Sequence, residues 1–88
     1  MVRGIGPQPD AFGAFYDRYR DALLAYFIRR VRDPDVAADL MAETFAKALL
    51  TLHGGARVSS PAPWLFSIAR STLVDSVRRG QVEARARA

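Results

Sequence analysis

Between Phe12 and Val31 the apolar residues Phe12, Phe15, Tyr16, Tyr19, Leu23, Phe27 and Val31 return at steps of three and four, the spacing that lines one face of an α-helix. Asp17, Arg18, Arg20 and Asp21 fall on the remaining faces and read as solvated charge. Pro7 and Pro9 predict an extended lead-in over residues 1–10, and Asp10 can cap a helix over about 11–32 by accepting from the free N–H groups of its first turn.

At Asp33-Pro34-Asp35 the pattern restarts. Asp33 is suited to the cap, Pro34 to the first helical position, where its missing N–H costs nothing, and Asp35 to the positive end of the helix dipole. The inner stripe of this second helix, over about 34–53, is Val36, Leu40, Met41, Phe45, Ala48, Leu49 and Leu52. Gly54-Gly55 should close it, because glycine takes the left-handed conformation without strain.

A polar, proline-punctuated segment between Gly54 and Pro63 then carries Arg57, Ser59 and Ser60. Leu65, Ile68, Ala69, Leu73 and Val77 mark a third amphipathic helix over about 62–79, with Gly80 as its stop. Residues 81–88 read as a frayed helix or the start of a linker. Alternating apolar runs and hairpin dipeptides are lacking. The expected fold is therefore all-α, a small three-helix bundle over residues 11–80.

Composition narrows what such a bundle can do. Half of the 88 residues are apolar and a quarter are charged, as in a folded domain with a modest core. Cysteine is absent and His53 is alone, so neither thiolate nor clustered imidazole chemistry can hold a metal. No apolar run approaches the roughly 18 residues of a membrane-spanning helix, and Met1-Val2-Arg3-Gly4 does not open a signal peptide, so the expected location is the cytoplasm and no membrane partner is expected. Nucleophile elbows and phosphate-binding glycine loops are missing too. The expected protein is a binding module without a cofactor, not an enzyme. Asp39 and Glu43, four apart on the second helix, share a face flanked by Lys47; this reads as an acidic docking patch for a basic partner or as plain solvated charge.

The net charge of +4 is unevenly placed. Up to Gly55 cations and carboxylates balance, whereas from Ala56 onward Arg57, Arg70, Arg78, Arg79, Arg85 and Arg87 face only Asp75 and Glu83. An anionic partner at this end follows. Of the thirteen cations only Lys47 is lysine, and arginine forks onto phosphate and stacks on bases better than lysine does. With Trp64 at the head of the third helix, that suits single-stranded or distorted nucleic acid, although a tryptophan there also serves as half-buried packing.

The order of these features resembles a known family. Asp35-Val36-Ala37-Ala38-Asp39-Leu40-Met41-Ala42-Glu43-Thr44-Phe45-Ala46-Lys47-Ala48-Leu49, then a loop, then Pro63-Trp64-Leu65-Phe66-Ser67-Ile68-Ala69-Arg70, Asp75 and Arg78-Arg79 are similar to region 2 of the extracytoplasmic-function subfamily of sigma-70 factors. The likeness runs from about Phe12 to Arg79. It implies a transcription initiation factor domain with two partners. The second helix would dock on the clamp helices of the RNA polymerase beta-prime subunit through a motif of Asp-Leu-x-Gln-Glu-x-Phe type, here Asp39, Ala42 and Glu43 with Lys47 beside them and Leu40 and Phe45 largely in the core. The third helix and the loop before it would melt the minus-ten promoter element and capture bases of its non-template strand, through Arg57, Ser59, Ser60, Trp64, Arg70, Ser71, Arg78 and Arg79.

Two positions depart from the family pattern. Ala42 stands where that motif has glutamine, and Ser71 where asparagine follows Ile-Ala-Arg; each replaces an amide that both donates and accepts hydrogen bonds. The family's common Phe-Arg-Gly pattern is also absent from the loop between Gly54 and Pro63. A second reading keeps the bundle as a protein-docking module held by an anti-sigma factor or other regulator, without productive promoter binding.

Overall fold

The computed structural model describes residues 9–80, with side chains from Phe12 onward; of the extended lead-in expected over residues 1–10, residues 1–8 lie outside the described residues, as does the tail expected over 81–88, while residues 9–10 are helical and not extended. Three helices make up the fold: α1 (Pro9–Val31), α2 (Pro34–His53) and α3 (Pro61–Arg78). Helix α1 begins two residues earlier than its spacing predicts, so Asp10 lies inside the first turn instead of capping it.

Only Arg32 and Asp33 separate α1 from α2. Arg32 closes α1 by donating its N–H to the Ile28 carbonyl at 2.9 Å, and does so in the left-handed region, with φ 57°. That conformation crowds the Cβ of an ordinary residue. Asp33 then caps α2, its Oδ1 accepting from the N–H groups of Asp35 at 3.0 Å and Val36 at 3.3 Å, with Pro34 at the start of the helix. At the other end Gly54 keeps φ −77°, so it is not the left-handed residue of the pair. Gly55 is, with φ 96°.

The core is formed mostly by members of the predicted stripes, with Ala37 added and Val36, Met41, Ile68, Leu73 and Val77 only partly buried at its margin. Phe15, Leu23, Phe27 and Val31 of α1, Ala37, Leu40, Phe45, Ala48 and Leu52 of α2, and Leu65 and Ala69 of α3 are all buried. Each large side chain so enclosed contributes about 1.5–3 kcal/mol of transfer free energy. Phe45 carries much of the aromatic packing, with the rings of Phe12, Phe15 and Tyr16 at 6.3, 6.0 and 4.6 Å.

On α3 the most enclosed line is not wholly apolar. Leu65, Ala69, Thr72 and Ser76 are buried, and Thr44 is buried on α2. The two threonines satisfy their hydroxyls within their own helices, Thr44 Oγ1 donating to the Leu40 carbonyl at 2.7 Å and Thr72 Oγ1 to that of Ile68 at 2.8 Å. A hydroxyl bonded to the carbonyl one turn back can enter a core without leaving a donor stranded.

How α3 lies on the other two helices fixes the shape of the surface. Trp64 meets Phe15 at 6.1 Å and Phe66 meets Tyr26 at 5.4 Å. Two residues of α3 thus reach points on α1 that are eleven residues apart, about 16 Å along its axis. The first turn of α3 therefore crosses α1 and does not run along it. Its later turns follow α2 in the opposite sense, with Lys47 against Thr72 and Glu43 against Arg79.

Candidate functional site

Crossing at the first turn leaves an open groove between the end of α1 and the outer face of α3. Its α3 wall includes Ser67, Arg70, Ser71, Val74 and Arg78; its α1 wall is Tyr26 and Arg30. The α3 residues follow the three-to-four spacing of one helix face, and all five are exposed. Three residues singled out from the sequence, Arg70, Ser71 and Arg78, are thereby brought together on one groove.

The other five candidates in that set are placed elsewhere. Arg57 and Ser59 are exposed in the connection from α2 to α3, as is Ser60 at the N-terminal cap position of α3. The Ser60 side chain makes no capping hydrogen bond, so its hydroxyl is open to another partner. Trp64 is half-buried against Phe15, the packing alternative noted for it. Arg79 turns to α2, where its guanidinium lies 3.5 Å from the Glu43 carboxylate.

On α2 the candidate docking residues divide between open surface and the α2–α3 junction. Asp39 and Ala42 are exposed, with Ala38 and Ala46 beside them. Glu43 and Lys47 are half-buried and belong to a charged cluster. Lys47 Nζ lies 3.4 Å from Glu43 and 3.8 Å from Asp75, and donates to Thr72 Oγ1 at 3.1 Å. The cluster is thus a four-residue chain, Asp75 to Lys47 to Glu43 to Arg79, stitched across two helices. Helical spacing reveals its Glu43–Lys47 link but not the cross-helix ones.

Tyr26 and Arg30 are functional candidates that sequence reasoning missed. Their spacing of four on α1 was the available signal. The Arg30 guanidinium carbon lies 3.7 Å from the centroid of the Tyr26 ring, and its Nη1 donates to the Tyr26 carbonyl at 2.9 Å. Among the described residues no group of three metal-ligating side chains comes together, and no helix is long and apolar enough to cross a membrane.

Chemically, the molecule offers a cationic groove with hydroxyls on one side and an acidic and alanine-lined helix face on another. The comparison that decides between families is with the family model for sigma-70 region 2, which matches residues 15–82. The chain belongs to the sigma-70 region 2 family. Within it the relatives are of the extracytoplasmic-function kind. The chain is similar to the ECF RNA polymerase sigma factor SigM of Bacillus subtilis (strain 168), 32% identical over 68 residues that cover 77% of this chain and 41% of SigM. It is also similar to the ECF RNA polymerase sigma factor BldN of Streptomyces coelicolor (strain ATCC BAA-471 / A3(2) / M145), 36% identical over 80 residues, 85% of this chain and 29% of BldN. The RNA polymerase sigma factor YlaC of Bacillus subtilis (strain 168) is 36% identical over 70 residues, 80% of this chain and 40% of YlaC. The region 2 chain thus spans between 29% and 41% of the length of these relatives. No solved structure matches it significantly.

Proposed function

We propose that this chain is the region 2 module of a transcription initiation factor, a binding domain that works in the cytoplasm without catalysis or cofactor. Its α2 face, with Asp39, Ala42 and the Glu43–Lys47 pair, docks on the clamp helices of the polymerase beta-prime subunit. Its α3 groove and the loop before it engage the opened non-template strand of the minus-ten element.

The gathering of Arg70, Ser71 and Arg78 on one exposed face supports this reading most. Cations along a strand displace condensed counterions, so binding gains entropy at low salt and fades as salt rises. Arg57, Ser59 and Ser60 lie exposed where a flipped base could be met by hydrogen bonds, which is the requirement for capturing a base out of the stack. Trp64 contributes by packing against Phe15 and so fixes the start of α3 under that loop.

Fluorescence anisotropy with single-stranded and duplex DNA tests the DNA half of the proposal. The expected result is tighter binding to the single strand, weakening with salt. Equal affinity for random duplex would sink it. For the other half, a beta-prime clamp-helix fragment should bind the chain, and Glu43→Ala should weaken that complex. Retention of a regulator with no binding to the fragment would move the function to the anti-sigma docking alternative.

A further inference from the structure

Arg30 is held in place before any ligand arrives. Its guanidinium stacks on the Tyr26 ring and is pinned by the hydrogen bond to the Tyr26 carbonyl. Tyr26 is itself wedged between the ring edges of Phe27 at 5.2 Å and Phe66 at 5.4 Å. A long side chain that is already ordered loses less conformational entropy when it meets a phosphate.

The groove beside it carries three guanidinium groups, Arg30, Arg70 and Arg78, and one carboxylate, Asp75, which is 3.8 Å from Lys47. Arg70 and Arg78 stand eight residues apart on α3, about 12 Å along the axis, far enough apart to meet different phosphates of one extended strand. Phe66 and Val74 give the same groove an apolar lining. Cations with aromatic and aliphatic surface between them are the composition of a single-strand track.

We infer that α1 supplies the second wall of the strand-binding groove, with Arg30 as a phosphate contact and Tyr26 as the residue that positions it. The inference rests on the proposed reading of α3 as the DNA helix, and adds a contact from a helix to which that reading gives no part in DNA binding. The ligand it commits to is the sugar–phosphate backbone of one DNA strand.

Titrating the chain with a fluorescent single-stranded oligonucleotide across about 50–200 mM salt separates the two ideas. Arg30→Gln should weaken binding about three- to tenfold and lower the slope of log affinity against log salt by about 0.7, the value for one lost contact on a single strand. Arg30→Lys should keep the slope. Tyr26→Leu should weaken binding while leaving the slope near that of the parent, since the charge remains, and Tyr26→Phe should restore the affinity. If Arg70→Gln weakens binding and Arg30→Gln does not, the α1 wall is wrong and the α3 reading stands. If neither changes it, or the parent chain ignores the oligonucleotide, both fall. A parent that binds an acidic peptide through Arg30 in preference to the oligonucleotide also overturns the inference.

Discussion

The Arg79 guanidinium lies 3.5 Å from the Glu43 carboxylate and joins the end of α3 to the middle of α2. These two residues belong by resemblance to different tasks, Glu43 to polymerase docking and Arg79 to promoter binding. In the fold they sit in one charged cluster with Lys47 and Asp75. Each surface is therefore built partly on the other.

Both partners of that pair remain partly exposed, at 35% and 47% of their side-chain surface, so its stabilisation is modest. A double-mutant cycle with Glu43→Gln and Arg79→Gln should give a coupling of about 0.2–1 kcal/mol in urea denaturation at low salt. The coupling should shrink at about 1 M salt, where screening acts over about 3 Å. Additive single-mutant effects at low salt would show the pair to be energetically silent.

Ala42 is exposed on α2, so a longer side chain there displaces no core. Ala42→Gln restores the amide of the family pattern and should tighten binding to the clamp-helix fragment by about 0.5–1.5 kcal/mol, the net worth of one hydrogen bond. Thermal stability should stay within about 0.5 kcal/mol of the parent. An unchanged fragment affinity would count against placing the docking face at this position.

Arg32 holds φ 57° between α1 and α2, where glycine has no Cβ to crowd. Arg32→Gly should stabilise the fold by about 0.5–1 kcal/mol, a rise in Tm of about 2–8 °C by calorimetry. A fall in Tm would mean that contacts of the arginine side chain outweigh the backbone strain.

The two buried threonines should respond differently to valine. Thr44 uses its hydroxyl only on the carbonyl of Leu40, so Thr44→Val should change stability by less than about 0.5 kcal/mol. Thr72 also accepts from Lys47, and Thr72→Val should cost about 0.5–1.5 kcal/mol. Chemical denaturation of the two variants side by side reads the difference, and equal effects would remove any energetic role for the Lys47–Thr72 bond.

The helices and most of the core were legible because their information is local. A three-to-four spacing names Phe15, Leu23, Phe27, Leu40, Phe45, Leu52, Leu65 and Ala69 as inward, and all are buried. Thr44, Thr72 and Ser76 escape such a reading because a hydroxyl looks polar in sequence; for the two threonines the neutralising partner is a backbone carbonyl one turn back. The charge surplus located the cationic end, and Arg70, Ser71 and Arg78 do share a groove. The spacing of Tyr26 and Arg30 marks them as neighbours on α1, but their place on the groove beside Arg70 and Arg78 could not be read, since it depends on where α3 crosses α1. That crossing is set by the Trp64–Phe15 and Phe66–Tyr26 contacts, which join distant parts of the chain. The same holds for Arg79, whose place was expected beside the other arginines and is found against Glu43.

Around its buried line, helix α3 is edged by two unlike kinds of contact, rings against rings at its head and ions against ions toward its tail. Salt leaves the first grip almost untouched and loosens the second. Because Leu73 and Val77 pack on the core beneath those ions, the ionic medium reaches only the outer layer of the tail's attachment and leaves its apolar footing in place.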